Sequence, residues 1–401
     1  MSSVLHFPTN PAPLSTADAL ALAEPVARQL AETAVARDQA GGHAAREREL
    51  IRDSGLLALT VPQELGGLGA SWPTFYRVLR RLAEADSALA HLFGFHHLQL
   101  ASVQLYGTAE QQRRLLGETI RRRWFWGNAL NPLDRRLLAV DTDQGWRLDG
   151  AKSFASGSVG ADMLTFSAWH EGMQAALIGV RPADAPGISV RADWDAFGQK
   201  QTDSGTVSFD AVALPRADVL QPPGSVPTPR TTLRQQIAQL ILVHLYVGIA
   251  QGALQAGLRF TRDESRPWFQ SGVAAAVDDP FVQHRWGELW LQVRPAELLA
   301  DAAAQSLQQA LGRGDALTAD ERGAVAIAVA EAKVLAHRAA LSVSQQLFEL
   351  TGARATSGRY GLDRFWRNAR VHTLHDPVDY KLRDLGRHAL TGAWPEPTPY
   401  S

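Results

Sequence analysis

The stretch FGQKQTDSGTVSFDAVALP, residues 197–215, joins a polar, glycine-containing turn to a segment in which apolar and polar residues alternate. Alternation with period two, together with β-branched and aromatic residues, predicts a half-buried β-strand. Four further stretches between Trp124 and Arg216 share this character and are separated by Gly, Pro and Asp: GWRLDG, DMLTFSAW, AALIGVRP and GISVRAD. The middle third of the chain is therefore predicted to form a small antiparallel β domain.

Helical periodicity flanks this region on both sides. From residue 16 to about residue 121 the apolar residues recur at helical spacing, with Gly-rich breaks between the segments. A Pro-rich linker, residues 221–230, is followed by three long periodic segments, 231–263, 279–312 and 318–351, and by a shorter one after Pro377. Thr318 and Glu321 predict a capping box at the start of the third long helix, and Pro295 predicts a kink in the second.

Long helices joined by short loops predict an antiparallel bundle. We therefore predict an α+β protein that is mostly α, with three domains: an N-terminal helical domain over residues 1–121, a middle β domain with its linker over residues 122–230, and a C-terminal four-helix bundle over residues 231–401.

Composition excludes several kinds of site and partner. The formal net charge is −1 and no run of five or six like charges occurs, so a nucleic-acid partner is not expected. The absence of cysteine excludes disulfides, thiolate metal sites and cysteine nucleophiles. The first twenty residues lack the pattern of a signal peptide. The longest apolar run, residues 240–250, is shorter than the roughly 20 residues that a bilayer span needs. We expect no membrane association and a cytoplasmic location.

Polar residues that could carry chemistry cluster in the stretch WRNARVHTLHDPVDYK, residues 366–381. His372, His375 and Asp376 could bind a metal or move a proton. Pro377 disfavours a helical conformation at Asp376, and no second cluster with metal-ligand spacing occurs, so no metal site is expected. A second group, in AHLFGFHHL, supplies His91, His96 and His97, which could line a site or belong to the core.

The helix, β, helix order, together with FGQKQTDSGTVSFDAVALP and GWRLDGAKSFASG, resembles the acyl-CoA dehydrogenase family of flavoproteins, whose β domain forms a barrel. The resemblance is closer to the flavin-dependent dibenzothiophene monooxygenases within that family. It is carried by five separated stretches: AHLFGFHH, FWGNA, SFASGSVGAD, ADWDAFGQKQTDSG and RFWRNARVHTLHDPVDYK.

This resemblance implies a set of site residues. The residues implied as catalytic are His91, Asn128, Ser156, His372 and His375. Those implied to bind the flavin are Asn128, Ser156, Trp194 and His375, with Arg266 and Arg354 near its phosphate. The substrate pocket is implied to include His91 and Phe95, where Phe95 replaces a tyrosine of the resembling enzyme.

Two reactions are compatible with such a site. A dehydrogenase needs a carboxylate base, and Asp376 could serve, although it is one methylene shorter than the usual glutamate and is followed by a proline instead of a glycine. No Asp or Glu lies between Asp218 and Asp263, where some members place the base instead. A monooxygenase lets reduced flavin react with O2 to form a flavin hydroperoxide, which histidine, serine and amide groups protonate and hold.

The leading hypothesis is therefore a two-component monooxygenase that oxygenates an apolar aromatic or organosulfur substrate, as in the sulfoxidation of dibenzothiophene. Where the dehydrogenases carry a Gly-Gly segment that accepts the ADP half of FAD from a neighbouring subunit, this chain has Gly352-Ala353-Arg354. An arginine there could end the site at a single phosphate and favours FMN, although FAD fits the family too. No dinucleotide fingerprint is present, so a separate NAD(P)H flavin reductase is expected as partner. The alternatives are an acyl-CoA dehydrogenase with Asp376 as base, a hydroxylase of an aromatic such as indole, and a flavin-free binding or scaffold protein.

The third long helical segment has small residues on nearly every turn and few charges in its central part. A helix that is apolar on most of its circumference must be covered on more than one side. Together with the family resemblance, this predicts a homotetramer.

Overall fold

Ten α-helices and seven β-strands make up the part of the chain that the structure, a computed structural model, describes: residues 13–221 and 224–401. Residues 1–12, which hold most of the stretch inspected for a signal peptide, and Pro222 and Pro223 of the predicted linker lie outside it. The helix, β, helix order and the mostly helical fold class are confirmed.

Five helices precede the sheet. They are α1 (Thr16–Ala40), α2 (Ala45–Asp53), α3 (Trp72–Ala85), α4 (Ser87–Tyr106) and α5 (Ala109–Arg122). The break between α3 and α4 is local, because the Asp86 carboxylate accepts the backbone N–H groups of Ala88 and Leu89, at 2.9 and 3.1 Å, and so caps α4. Helix α4 is buried along nearly its whole length, which places its side chains inside the molecule.

The strands form one curled sheet. They are β1 (Trp126–Ala129), β2 (Leu138–Thr142), β3 (Gly145–Lys152), β4 (Met163–His170), β5 (Ala175–Pro182), β6 (Ile188–Val190) and β7 (Val207–Pro215). The order is β1-β4-β2-β3-β7-β6, with β5 also paired to β4. The sheet is mixed and not wholly antiparallel as expected, because β1 and β2 each pair with β4 in parallel. After the β2–β3 hairpin the chain returns to the sheet beside β1, and the new strand, β4, runs in the same direction as β1.

The C-terminal bundle consists of α6 (Leu233–Asp263), α7 (Pro280–Gly312), α8 (Ala319–Thr351) and α10 (Val378–Thr391), with the short α9 (Asp363–His372) beside it. The predicted capping box at Thr318 and Glu321 is confirmed, and α7 continues through Pro295. Helix α6 is long and apolar enough to span a membrane, but 89% of its most apolar window is buried inside the molecule. It is the central helix of the core that α3, α4, α7 and α8 share.

Helix α8 is covered within its own chain by α6, α7, α9 and α10. Its apolar circumference therefore does not require a neighbouring subunit, and this part of the argument for a tetramer is not supported. Large apolar side chains are exposed instead on α7 and on the loop before it, as for Phe269, Phe281, Leu291 and Leu298.

Buried histidines make the stability of this fold depend on pH. Burial lowers the pKa of His91, His97 and His244 well below the usual value, of His96 and His337 to about 4, and of His372 to about 3. In the unfolded chain each would titrate near its ordinary pKa of about 6.5. The contribution of these histidines to the free energy of unfolding is therefore complete above about pH 6.5. It is lost as the pH falls below that value, because unfolding then takes up protons.

We expect the melting temperature to fall steeply between pH 6.5 and pH 5, since each such histidine costs about 1.4 kcal/mol per pH unit in that range. Thermal melts in buffers across pH 5 to 8 measure this. His284, whose side chain is 72% exposed, provides the control: His284→Gln should leave the pH dependence unchanged. A melting temperature that stays constant from pH 7.5 to pH 5 would contradict the neutral state of these side chains.

Candidate active site

Three histidines of α4 divide into two kinds. His96 accepts the Trp126 backbone N–H at Nδ1 (3.1 Å) and donates from Nε2 to the carbonyl of Leu57 (2.9 Å). The ring nitrogens of His97 bond the Thr60 hydroxyl (2.8 Å) and the Leu56 carbonyl (3.1 Å). Both rings are fully buried and have both nitrogens occupied by fixed partners, so their role is to join α4 to neighbouring segments.

His91 is different, because neither of its two buried ring nitrogens has a hydrogen-bond partner among the residues that the structure describes. Its ring stacks on Phe95, with centroids 4.0 Å apart, and meets the ring of His372 edge-on at 4.8 Å. Burial lowers its pKa well below the usual value, and His372 and His375 lower that pKa further. His91 is therefore a neutral imidazole with unused donor and acceptor capacity.

His372 ends α9 and is also buried. Its backbone carbonyl accepts the hydroxyl of Tyr246 from α6 at 2.9 Å, which fixes the end of α9 against the bundle. Burial lowers the pKa of His372 to about 3, and the charges of His375 and Lys333 add to the shift. The site thus holds two neutral histidines in contact, one from each side of the molecule.

His375 is oriented by a buried charge pair. Its Nδ1 lies 3.0 Å from Oδ1 of Asp376, and the same carboxylate is ion-paired with Lys333, which also donates to the side-chain carbonyl of Gln239. Lys333 and Asp376 are 1% and 7% exposed. An ionised carboxylate only accepts hydrogen bonds, so Nδ1 of His375 carries the hydrogen and Nε2 is the nitrogen available to a ligand.

Asp376 is a poor base in this arrangement. Burial alone would raise its pKa, but the hydrogen bond from His375 and the positive charge of Lys333 outweigh burial and hold the pKa well below the usual range. Burial lowers the pKa of Lys333 to about 8, although the negative charge of Asp376 acts to raise it. Both members of the pair are therefore charged at neutral pH. A carboxylate stabilised in this way has little tendency to take up a proton.

The sheet contributes a second set of groups. The Asn128 backbone N–H, in β1, donates to the carbonyl of Ser156 at 2.8 Å, and the Ser156 hydroxyl lies 2.8 Å from that of Ser204. Two residues earlier, Phe154 has a φ of 55° and a side chain that is 71% exposed. Its ring meets Trp194 edge-on at 5.7 Å. An exposed phenylalanine against a partly buried tryptophan, beside buried polar groups, is a surface suited to a flat, polar-edged ligand.

The two sets are joined where α4 crosses the turn after β3. Leu92, next to His91, packs closely against Gly157: a Cβ added to Gly157 would lie 3.2 Å from the Leu92 side chain. Gly157 also has a φ of 70°. Below this point Gln199 bonds Ser87 of α4 and Asn368 of α9. The segments that carry the helical and β groups therefore contact each other at two points.

Comparison with known proteins identifies the family of this chain. Residues 19–123 match the acyl-CoA dehydrogenase N-terminal domain, and residues 240–380 match the acyl-CoA dehydrogenase C-terminal domain. The chain is 46% identical to the probable FMNH2-dependent monooxygenase SfnC of Pseudomonas putida, over 100% of both chains.

Two solved structures are similar over nearly the whole chain. The structure of methanesulfinate monooxygenase MsuC from Pseudomonas fluorescens superposes with a TM-score of 0.94, at 45% identity over 95% of this chain and 99% of that one. The dibenzothiophene monooxygenase TdsC from Paenibacillus sp. A11-2, in a complex with FMN and indole, superposes with a TM-score of 0.92, at 39% identity over 96% and 99%. This chain belongs to the acyl-CoA dehydrogenase family, in its branch of flavin-dependent monooxygenases.

The predicted site residues of this family member fall into two places. His91, Phe95, Asn128, Ser156, Trp194, His372 and His375 belong to the two joined sets described above. Arg266 and Arg354 do not join them within one chain. Arg354 pairs with Glu264 at 3.5 Å, just beyond the end of α6. Tyr246, at the His372 end of the site, precedes Glu264 by 18 residues, about 27 Å along a helix.

Several residues of the site were not predicted from the sequence. Lys333 and Gln239 support Asp376, and Ser204 and Thr202 support Ser156. Lys333 carried a signal, because it is a lone lysine in the apolar stretch AVAIAVAEAKVLAHRAALS. A charge that helical periodicity places on a buried face needs a partner. Within residues 13–221 and 224–401, no group of three His, Asp or Glu side chains could hold a metal ion.

Proposed function

We propose that this chain is the oxygenase component of a two-component system that binds reduced FMN from a separate NAD(P)H-dependent reductase and uses O2 to oxygenate the sulfur of a small organosulfur compound. The relatives support this, since SfnC is named as FMNH2-dependent, TdsC was solved with FMN, and SfnC, MsuC and TdsC are all named monooxygenases. The missing dinucleotide fingerprint supports reduction of the flavin elsewhere. A cytoplasmic location remains a prediction.

The observation that carries this proposal is the state of the acid beside the histidines. A dehydrogenase would use Asp376 as its base, but Asp376 is bound in a buried ion pair with Lys333 and accepts a hydrogen bond from His375. What faces the site is three imidazoles. His91 and His372, which burial keeps neutral, can donate and accept hydrogen bonds, and His375, held at Nδ1 by Asp376, is the one placed to move a proton, so the site has the groups for oxygen transfer and lacks a free carboxylate base for α-proton abstraction.

The residues fit a flavin by their chemistry. The buried ring nitrogens of His91 lack protein partners, and the exposed Phe154 beside Trp194 provides an aromatic edge. Asn128, Ser156, Trp194 and His375 would hold the ring system. Bound reduced flavin supplies the electrons that activate O2, and oxygen that is not transferred leaves as hydrogen peroxide. His375, fixed at Nδ1 by Asp376, would hold or move a proton at Nε2, while His91, Phe95 and His372 would exclude water from the substrate.

The substrate is proposed as organosulfur because the names of the relatives have sulfur chemistry in common. TdsC is named for dibenzothiophene and MsuC for methanesulfinate, whereas indole is bound in one TdsC structure. An apolar wall discriminates weakly, about 1–3 kcal/mol per methylene, so Phe95 does not by itself select among ring systems.

The arginines lead us to propose a homotetramer in which they serve a neighbouring copy. Arg266 and Arg354 lie at the far end of α6 from Tyr246, too distant to bind the phosphate of a flavin held by the histidines of their own chain. Leu291 and Leu298, seven residues apart on α7, are 67% and 60% exposed, which leaves an apolar helix face available for contact between subunits.

The first prediction concerns the reaction. Mixed with a flavin reductase, NADH, FMN and O2, the protein should oxidise at least one of methanesulfinate, dibenzothiophene or a simple sulfide, with indole as the non-sulfur comparison. Product is measured by mass spectrometry with and without the reductase. Oxidation of acyl-CoA with an electron acceptor and no reductase would reject the proposal.

The second prediction concerns His375. In His375→Ala, folding and FMN uptake should be largely retained, because most of the flavin contacts remain. Product formation should fall about 100-fold, the scale of a positioned acid or base, and the lost product should appear as hydrogen peroxide. Product, peroxide and melting temperature are measured together. If His375 only caps the turn before Pro377, the melting temperature falls and the ratio of product to peroxide stays at the wild-type value.

Two buried lysines, Lys333 and Lys152, test whether the ion pair between Lys333 and Asp376 is needed for the function of His375. Lys333→Met leaves Asp376 without its cation and should lower the ratio of product to peroxide in the same direction as His375→Ala. Lys152 is the control, because it is also fully buried but donates to the carbonyls of Asn131 and Asp134 in the β domain. Lys152→Met should lower the melting temperature while the ratio is unchanged.

The third prediction concerns assembly. Light scattering at micromolar concentration should give about four times the chain mass of 43.6 kDa. Arg354→Ala should weaken FMN binding about tenfold or more, the loss of one charged hydrogen-bonding partner, without changing the mass. A monomeric mass combined with full FMN affinity would contradict the proposal that the phosphate site is shared between copies.

A further inference from the structure

Three hydroxyl groups form a buried hydrogen-bonded chain behind the turn that carries Ser156. The hydroxyl oxygens of Ser156 and Ser204 are 2.8 Å apart, and those of Ser204 and Thr202 are also 2.8 Å apart. Thr202 then donates to the backbone carbonyl of Gln199 at 3.0 Å. All three side chains are at most 7% exposed. This chain crosses the TDSG turn, residues 202–205, which the proposed catalytic roles do not otherwise use.

The two possible directions of these hydroxyl protons are not equivalent. When every proton points toward Gln199, three hydrogen bonds form, and Ser156 presents only lone pairs on its free side. When the protons point the other way, two bonds form within the chain, and the Ser156 proton points away from it. The Gln199 carbonyl then keeps only its bonds from the Trp194 indole (2.9 Å) and the Thr202 backbone (3.2 Å).

One hydrogen bond therefore favours the direction toward Gln199. Because the Gln199 carbonyl already accepts two other donors, the net value of this bond is at the lower end for a neutral hydrogen bond, about threefold in an equilibrium constant. The Ser204 hydroxyl also lies 3.4 Å from the Thr202 backbone carbonyl, which is longer than a normal O–H···O hydrogen bond. Ser156 is thus an acceptor toward a ligand: to donate to the ligand it must give up its bond to Ser204, or the whole chain must reverse, and either change loses one hydrogen bond.

We propose that the Ser156–Ser204–Thr202 hydroxyl chain makes the site prefer reduced flavin over oxidised flavin, with Thr202 and Ser204 as positioning residues. The inference rests on the proposed function, in which Ser156 contacts the flavin ring. Reduced flavin carries an N–H at N5, whereas oxidised flavin has only a lone pair there. An acceptor hydroxyl bonds the former directly, and it can bond the latter only with the loss of one hydrogen bond, either from Ser156 to Ser204 or, after the chain reverses, from Thr202 to Gln199.

Such a preference suits an enzyme that receives its flavin already reduced and must release it once oxidised. A ring that binds more weakly after oxidation leaves the site free for the next reduced molecule. The chain would act on affinity in both redox states, so its effect can be measured without any turnover.

The test compares the affinity for FMN in its two redox states. Equilibrium dialysis of the full-length protein against oxidised FMN in air, and against dithionite-reduced FMN under anaerobic conditions, gives both dissociation constants. Wild type should bind reduced FMN more tightly. Thr202→Val, which keeps the branched shape and removes the terminal hydroxyl, should narrow the ratio of the two constants about threefold. Thr202→Ser should restore the wild-type ratio.

Ser204→Ala provides a second route to the same conclusion, because it frees the Ser156 proton to point at the ligand and should also shift the preference toward oxidised FMN. Ser158 is the matched control: it is 1% exposed in the same region and donates only to the Asp203 carbonyl, at 3.4 Å. Ser158→Ala should leave the ratio unchanged. The inference would be overturned if Thr202→Val and Ser204→Ala weakened the binding of reduced and oxidised FMN to the same extent, or if the ratio of the two dissociation constants did not change. Failure of wild type to bind FMN in either state would instead reject the proposed function.

Discussion

The arrangement of the site depends on one buried hydrogen-bonded junction between the loop that precedes β7 and two helices. Gln199 donates its backbone N–H to Asn368 of α9 at 2.6 Å and its side-chain amide to Ser87 of α4 at 3.0 Å, while Asn368 donates to the same Ser87 hydroxyl at 3.1 Å. Gln199 has a φ of 52°, a left-handed conformation that costs about 1 kcal/mol or more and persists only where surrounding contacts hold it.

This junction sets the distance between the two histidines. Ser87 and His91 are four residues apart on α4, and Asn368 and His372 are four residues apart on α9, so in each helix the two side chains lie on one face, one turn apart. Joining Ser87 to Asn368 therefore brings His91 and His372 together one turn further on, at 4.8 Å. The same residue, Gln199, receives the end of the hydroxyl chain that begins at Ser156. The helical and β halves of the site are thus positioned by one group of hydrogen bonds around Gln199.

Much of the architecture followed from local patterns, and most of the site's internal contacts did not. The helix, β, helix order and the cap at Thr318 are encoded in neighbouring residues, which periodicity and capping rules describe. The parallel pairing of β1 with β4 is not encoded in this way, because it depends on how the chain re-enters the sheet. Lys333 and Asp376 are 43 residues apart, and Ser156 and Ser204 are 48 apart, so no local pattern connects them. Likewise, the sequence did not show that His91 belongs to the candidate site while His96 and His97 are structural, because that distinction depends on their hydrogen-bond partners.

The difference between this chain and a dehydrogenase of the same fold can be traced to the environment of one carboxylate. A dehydrogenase base needs a carboxylate whose pKa is raised by burial and which is free to reach the substrate. Asp376 is equally buried, but Lys333 supplies a charge and His375 and Gln239 complete the hydrogen bonds, so the pair tolerates its low-dielectric surroundings. Removing the cation would leave burial as the dominant influence and raise the pKa of Asp376. The charge of Lys333 therefore has two consequences: it withdraws the acid from base catalysis, and it makes that acid a fixed acceptor that orients His375 toward the site.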